Sequence, residues 1–227
     1  MTKTHLNSGT KNMRVWDLPV RLFHWLLVVM CGISWITAEM GGNAMEWHMW
    51  SGYVVLGLVL FRILWGIWGS ETARFSHFIH GPITVLSYTR SLLKPNYKAA
   101  MGHNPLGGWS VISLLLILAI QAISGLFAND DIANEGPLYH LVRKATSNFL
   151  SQVHQYSFNI LLGLVILHLV AIIFYRVKHR VNLLKPMLTG DKLVDINAAE
   201  TKQTHLLVAI VLILVAAATV YWVVMKL

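Results

Sequence analysis

Five stretches of this 227-residue chain stay apolar for about twenty residues each, with almost no charge inside them. They run from Val20 to Ala38, Trp47 to Trp68, Trp109 to Ala128, Val153 to Tyr175 and Leu206 to Met225. A bilayer core about 30 Å thick is crossed by a helix of roughly 20 residues, and inside lipid the backbone must satisfy its own polar groups. The pattern therefore predicts an all-α, polytopic membrane protein with five spans. Nothing between them is long enough for a separate soluble domain. Charged residues make up 12% of the chain, against roughly 25% in a soluble domain. The expected divisions are a mobile cytoplasmic tail over residues 1–17, a membrane domain over 18–190, and a linker with the fifth helix over 191–227. The first apolar run is longer than a signal-peptide core and has no A-x-A-like end, so it is read as a retained span.

The net charge of +8 is distributed by topology. Basic residues fall in three blocks, Lys3 to Arg21, Arg74 to Lys98 and Arg176 to Lys202, which flank alternate ends of the spans. Cytoplasmic loops carry such an excess. The pattern places 15 of the 18 basic residues inside, counting Arg62 at the inner end of its span, and gives an inner surface of about +10 and an outer one of about −2. The N-terminus is then cytoplasmic and the C-terminus periplasmic, in a bacterial inner membrane. A nucleic-acid partner is not implied.

Between the spans, Gly41-Gly42-Asn43 reads as a tight outer turn. Gly69 to Gly108 reads as an inner loop with Pro82, Pro95 and Pro105, and with an amphipathic helix from Ile83 to Leu93 lying at the interface. Asn129 to Ser151 is an outer loop and Arg176 to Thr204 an inner one. Trp16, Trp47, Trp50, Trp109, Tyr175 and Tyr221 stand near span ends, as an interfacial aromatic belt does.

Cys31 is the one cysteine, so there is no intrachain disulfide, no CxxCH for covalent haem attachment and no set of thiolates for an iron–sulfur cluster. Histidine is the informative residue. Seven of eleven, His5, His77, His80, His103, His140, His179 and His205, fall in loops or at a span start and read as interfacial or solvated. Four fall inside spans, where an ionisable side chain is costly and marks function: His24, His48, His154 and His168. His154 and His168 are fourteen residues apart, within ~40° of whole helical turns, and therefore share a face roughly 21 Å apart along the axis. With the orientation above, the histidines pair by depth: His24 with His168 near the inner surface, His48 with His154 near the outer.

Two facing imidazoles in an apolar bundle suit a metal or a haem. Zinc wants four protein ligands or an open site with three, and neither level has a nearby Cys, Asp or Glu within its span. A haem brings four nitrogens of its own and needs only two axial ligands, and bis-imidazole ligation suits electron transfer. Gly52, Gly57, Gly125 and Gly163 offer places where a flat ring or a neighbouring helix approaches backbone closely.

Several segments carry a family resemblance. They are Val15-Trp16-Asp17-Leu18-Pro19-Val20-Arg21-Leu22-Phe23-His24-Trp25, His48-Met49-Trp50-Ser51-Gly52-Tyr53, and Phe61-Arg62-Ile63-Leu64-Trp65-Gly66. Further ones are Arg74-Phe75, Gly81-Pro82, His103-Asn104-Pro105-Leu106-Gly107-Gly108-Trp109, Gly125-Leu126-Phe127-Ala128-Asn129-Asp130, and His154 with His168 before Phe174-Tyr175-Arg176. Over about residues 14–190 the chain resembles the prokaryotic cytochrome b-561 family, which includes the cytochrome b subunit of nickel–iron hydrogenases. The resemblance implies a four-helix core carrying two non-covalent b haems. It also implies electron exchange between membrane quinone or quinol and a partner on the outer face, such as a periplasmic c-type cytochrome or a dehydrogenase subunit. A hydrogenase-type membrane anchor is the neighbouring reading; a histidine-lined metal or proton transporter is a distant one. Arg21, Arg62 and Arg176 are candidate partners for inner haem propionates, Arg143 and Lys144 for outer ones.

Overall fold

The computed structural model describes residues 9–92 and 102–226. Helices run over α1 Leu18–Met40, α2 Met45–Trp68, α3 Phe75–Phe78, α4 Pro82–Ser91, α5 Pro105–Leu126, α6 Lys144–Lys178, α7 Leu184–Thr189 and α8 Leu206–Lys226, with strands β1 Thr10–Arg14 and β2 Asp191–Asp195. Of these, α1, α2, α5, α6 and α8 are long and apolar enough to cross a membrane.

Local chemistry fixes where the helices begin and end. The Asp17 carboxylate accepts the Val20 N–H at 2.8 Å, and Pro19 stands in the first turn, where its missing N–H costs nothing. The Asn104 side chain caps α5 in the same way, accepting from Gly107 N at 2.7 Å ahead of Pro105. Gly41 and Gly42 adopt φ values of 61° and 54°, which let α1 reverse into α2 within a few residues. The 35-residue α6 is about 52 Å long, so it projects well beyond a ~30 Å apolar core.

Two antiparallel hairpins, α1–α2 and α5–α6, pack through α2 against α5, and α8 packs on the outside of α2. One core layer joins Val20, Phe23, Phe61, Trp65 and Leu115 to Ala209 and Ala216 of α8. These two alanines lie seven residues apart on one face of α8, and small side chains let helices close up where lipid gives no hydrophobic drive. Gly57 of α2 faces Val220 of α8 at 3.8 Å for an added Cβ. A second layer joins Val55, Val59, Ile117, Leu118 and Leu161.

Residues 10–17 are not a mobile tail. β1 pairs antiparallel with β2, Thr10 opposite Asp195 through to Arg14 opposite Asp191, and the Val15 and Trp16 N–H groups donate to Gly190 O at 2.9 and 3.0 Å. Gly190 has φ 89° and an added Cβ would lie 2.8 Å from Trp16 O, so this crossing requires glycine. The backbone ladder holds the clasp; the exposed Arg14–Asp191 ion pair adds little. This strand pair marks one end of the bundle, the sheet end. The opposite end, closed by residues 127–143, is the loop end.

The amphipathic helix expected at Ile83 to Leu93 appears as α4; Leu93 lies outside the described residues, as do His5 and Pro95. Trp47, Trp50, Trp109 and Tyr221 are exposed, as belt residues are. Tyr175 departs from that pattern: it is buried, and its hydroxyl lies 3.1 Å from both Asn104 Nδ2 and the Tyr88 hydroxyl. His103 departs too. Its ring packs against Trp16 and Phe78 at centroid distances of 4.5 and 4.4 Å, so it belongs to an aromatic stack and not to a solvated loop.

Candidate functional site

His48, at the start of α2, and His154, in the first part of α6, meet at the loop end with ring centroids 6.0 Å apart and ring planes 84° to each other. The polar groups of α1 and α5 orient them. His48 Nδ1 lies 2.8 Å from the carbonyl of Ser34, and His154 Nδ1 lies 2.8 Å from that of Gln121. A carbonyl can only accept, so in each ring Nδ1 carries the proton and Nε2 keeps its lone pair. Ligating histidines are held in this way, with the second nitrogen donating to a carbonyl. The Gln121 amide lies 3.1 Å from His154 Nε2, and its own oxygen accepts from Ser157 Oγ, which turns the NH2 towards the ring.

Gly125 sits directly against His154. A Cβ there would stand 2.9 Å from Cε1 and 3.1 Å from Nδ1, so only glycine leaves the imidazole its place. Around the pair opens a cavity of about 810 Å³, within the roughly 300–1,000 Å³ range of cofactor sites. Cys31, Trp35, Gly52, Val55, Leu118 and Phe158 are among its walls. A metal between two imidazole nitrogens, at about 2 Å from each, sets the ring centres roughly 6 Å apart. The residues thus fit a bis-histidine group with apolar walls. Among the described residues no three or more His, Cys, Asp or Glu side chains cluster as a metal site would need.

His24 of α1 and His168 of α6 lie at the sheet-end level, within electrostatic range of each other. His24 Nδ1 is enclosed and has no hydrogen-bond partner, and its ring meets Trp25 edge to face at 5.0 Å. An enclosed nitrogen without a partner costs a few kcal/mol unless something else occupies the site. Beside this level, Arg62 is buried with its guanidinium over Phe75 and Phe78, 5.1 and 5.9 Å from their centroids. Nearby, burial first and the Arg62 charge second push the His103 imidazole down to about 3.

The loop end is closed by a built turn. Asn129 donates to Ser147 Oγ at 2.6 Å and to Asn148 Oδ1 at 3.0 Å, which ties the loop to the projecting turns of α6. Asp130 accepts the N–H groups of Ile132, Ala133 and Asn134 at 2.9 Å each and the Asn134 amide at 2.6 Å. These bonds hold its carboxyl well below the usual carboxylate range. Glu39, Asp130 and Glu135 reach the cavity lining, whereas Arg143 and Lys144 do not. Lys144 is engaged with Asp131 and Asn129. At the other end Arg21 donates to Leu188 O, and Arg176 is exposed.

Of the glycines singled out in the sequence, Gly125 touches a histidine, Gly52 lines the cavity, Gly57 faces α8, and Gly163 has open space beside it. The orienting groups Ser34, Gln121 and Ser157 are the residues a search for ionisable side chains passes over. Their signal was polarity inside otherwise apolar spans.

Residues 15–190 match the family model described as prokaryotic cytochrome b561. No curated protein and no solved structure matches the chain.

Proposed function

The chain belongs to the prokaryotic cytochrome b561 family, and from that premise we propose that it carries electrons across the membrane between two haems stacked at the two histidine levels. As a member it is a multi-pass membrane b-type cytochrome of electron transfer. The observation that supports the finer reading is the His48–His154 pair: ring centroids 6.0 Å apart, both Nδ1 protons committed to helix carbonyls, and both rings lining one cavity with Nε2 unprotonated, that of His154 resting on the Gln121 amide. Bound haem iron would supply reversible one-electron chemistry. His48 and His154 would hold one such group and His24 and His168 the other, the two levels being roughly 21 Å apart on α6. Neither level alone reaches across a ~30 Å core, whereas two in series leave short gaps.

The residues around each level do the remaining work. Ser34 and Gln121 fix the imidazole tautomers. Gly125 leaves the His154 imidazole its place, and Gly52 leaves open space at the cavity wall. The Asn129–Gly136 loop covers the loop-end cavity and presents Asp131 and Glu135 to solvent. This acidic rim suits a basic soluble partner, since complementary charge speeds encounter. We therefore read the loop end as periplasmic, quinol or quinone as the membrane-borne partner, and a c-type cytochrome as the soluble one.

The test uses oriented membrane vesicles supplied with quinol, and a basic c-type cytochrome offered to one face at a time. Reduction of the cytochrome at the loop-end face, slowing as salt is raised, is the expected result. Equal reduction from both faces, or none from the loop end, overturns this reading.

A further inference from the structure

The two histidine levels differ in the charged side chains that stand near them. Arg62 stands fourteen residues after His48 on α2, the same interval as His154 to His168 on α6, so it lies on the His48 face of its helix at the sheet-end level. Its helical neighbours Phe61 and Trp65 pack in one layer with Phe23, the residue before His24. The Arg62 side chain is 2% exposed. It makes no ion pair among the described residues, and its Nη1 is enclosed with no hydrogen-bond partner. The carboxylate that acts on it is Asp17, and both oxygens of Asp17 are already engaged, by Val20 N–H at 2.8 Å and Trp65 Nε1–H at 3.0 Å. The charge rests on the faces of Phe75 and Phe78, which hold a cation without cancelling it.

The loop-end level has the opposite setting. Among the described residues three carboxylates, Glu39, Asp130 and Glu135, line its cavity, and no Lys or Arg does. These groups are exposed and screened, so their field is the weaker one; the buried Arg62 is screened far less.

We propose that Arg62 makes the His24–His168 level the stronger electron acceptor of the two. The proposal rests on the bis-histidine haem reading above. Reduction adds one negative charge to a site, so a buried cation nearby favours the reduced form and a carboxylate rim favours the oxidised form. One unit charge on the order of 10 Å away, in an effective dielectric of about 20, shifts such an equilibrium roughly tenfold.

The measurement is a potentiometric titration of the purified full chain at low ionic strength. Variants His24→Leu and His48→Leu identify which transition belongs to which level. The His24–His168 transition should lie at the higher potential. Arg62→Met should lower that midpoint by about 59 mV, the equivalent of tenfold for one electron, and leave the other in place. Arg62→Lys, which keeps the charge, should stay near the wild type. A Glu39→Gln, Glu135→Gln double variant, which leaves the buried core untouched, should raise the loop-end midpoint by less, and that rise should fade with added salt. A higher-potential loop-end level, an Arg62→Met shift in the wrong transition, or no shift at all overturns the proposal alone. A wild-type protein with a single transition overturns the haem reading and the proposal with it.

Discussion

Replacing Gly125 with alanine tests how closely α5 is fitted to the loop-end site. The new methyl would stand 2.9 Å from His154 Cε1 and 3.1 Å from Nδ1. Carbon contacts are relaxed at about 3.5–4.0 Å, so the ring must retreat by on the order of 0.5–1 Å. Retreat is opposed, because Nδ1 is bonded to the Gln121 carbonyl at 2.8 Å on the same helix as Gly125. Overpacking of a filled site costs about 1–3 kcal/mol. If that cost falls on haem retention at this level, affinity there drops roughly tenfold to a hundredfold. Gly125→Leu should empty the level altogether. The assay is haem per purified protein from the visible spectrum, with a redox titration to show which transition is lost. Gly125→Ala should weaken or shift the loop-end transition and Gly125→Leu should leave about half the haem, both sparing the sheet-end transition. Gly163→Ala is the control, since nothing lies within 4 Å of its added Cβ. If Gly125→Leu keeps both transitions at unchanged midpoints, His154 does not need the place the structure gives it and the reasoning fails.

Two further outcomes follow from other parts of the molecule. His103, held down to about 3 against an ordinary 6.5, is stabilising only while neutral in the folded state; its contribution is full above pH 6.5 and erodes as pH falls towards 3, where the unfolded chain takes up the proton first. Thermal unfolding of the wild type should therefore weaken more steeply between pH 6.5 and 4 than that of His103→Gln, and parallel profiles would refute the assignment. On the proposed orientation, a reporter active only in the periplasm, fused after the last residue, should be active, because five crossings from a cytoplasmic N-terminus would end outside; activity confined to a cytoplasmic reporter would take α8 out of the membrane.

The spans were legible because bilayer thickness sets a length that apolar runs either meet or miss. The span histidines stood out because an ionisable side chain is costly inside an apolar run, and fourteen residues come close to whole turns of a helix. What the sequence hid depends on contacts between distant segments. Thr10–Arg14 pairs with strand residues some 180 positions away, and no local pattern marks five mostly polar residues as one half of a clasp. Tyr175 looks like a belt aromatic until Asn104 and Tyr88 claim its hydroxyl. The His103-Asn104-Pro105-Leu106-Gly107-Gly108 segment, read as a family signature, turns out to be a cap, a helix start and a close approach: an added Cβ on Gly108 would lie 2.5 Å from Phe78 O. Lys144 meets Asp131, a pairing that only the folded loop creates.

The central claim is two haem levels, paired by depth, and single His→Leu substitutions at all four positions measure it directly. Haem content and redox titration of the purified variants should show about half the wild-type haem in each. His24→Leu and His168→Leu should lack one transition, and His48→Leu and His154→Leu the other. A wild-type protein with one haem, or His24 and His48 variants that lose the same transition while those at 154 and 168 lose neither, would contradict it.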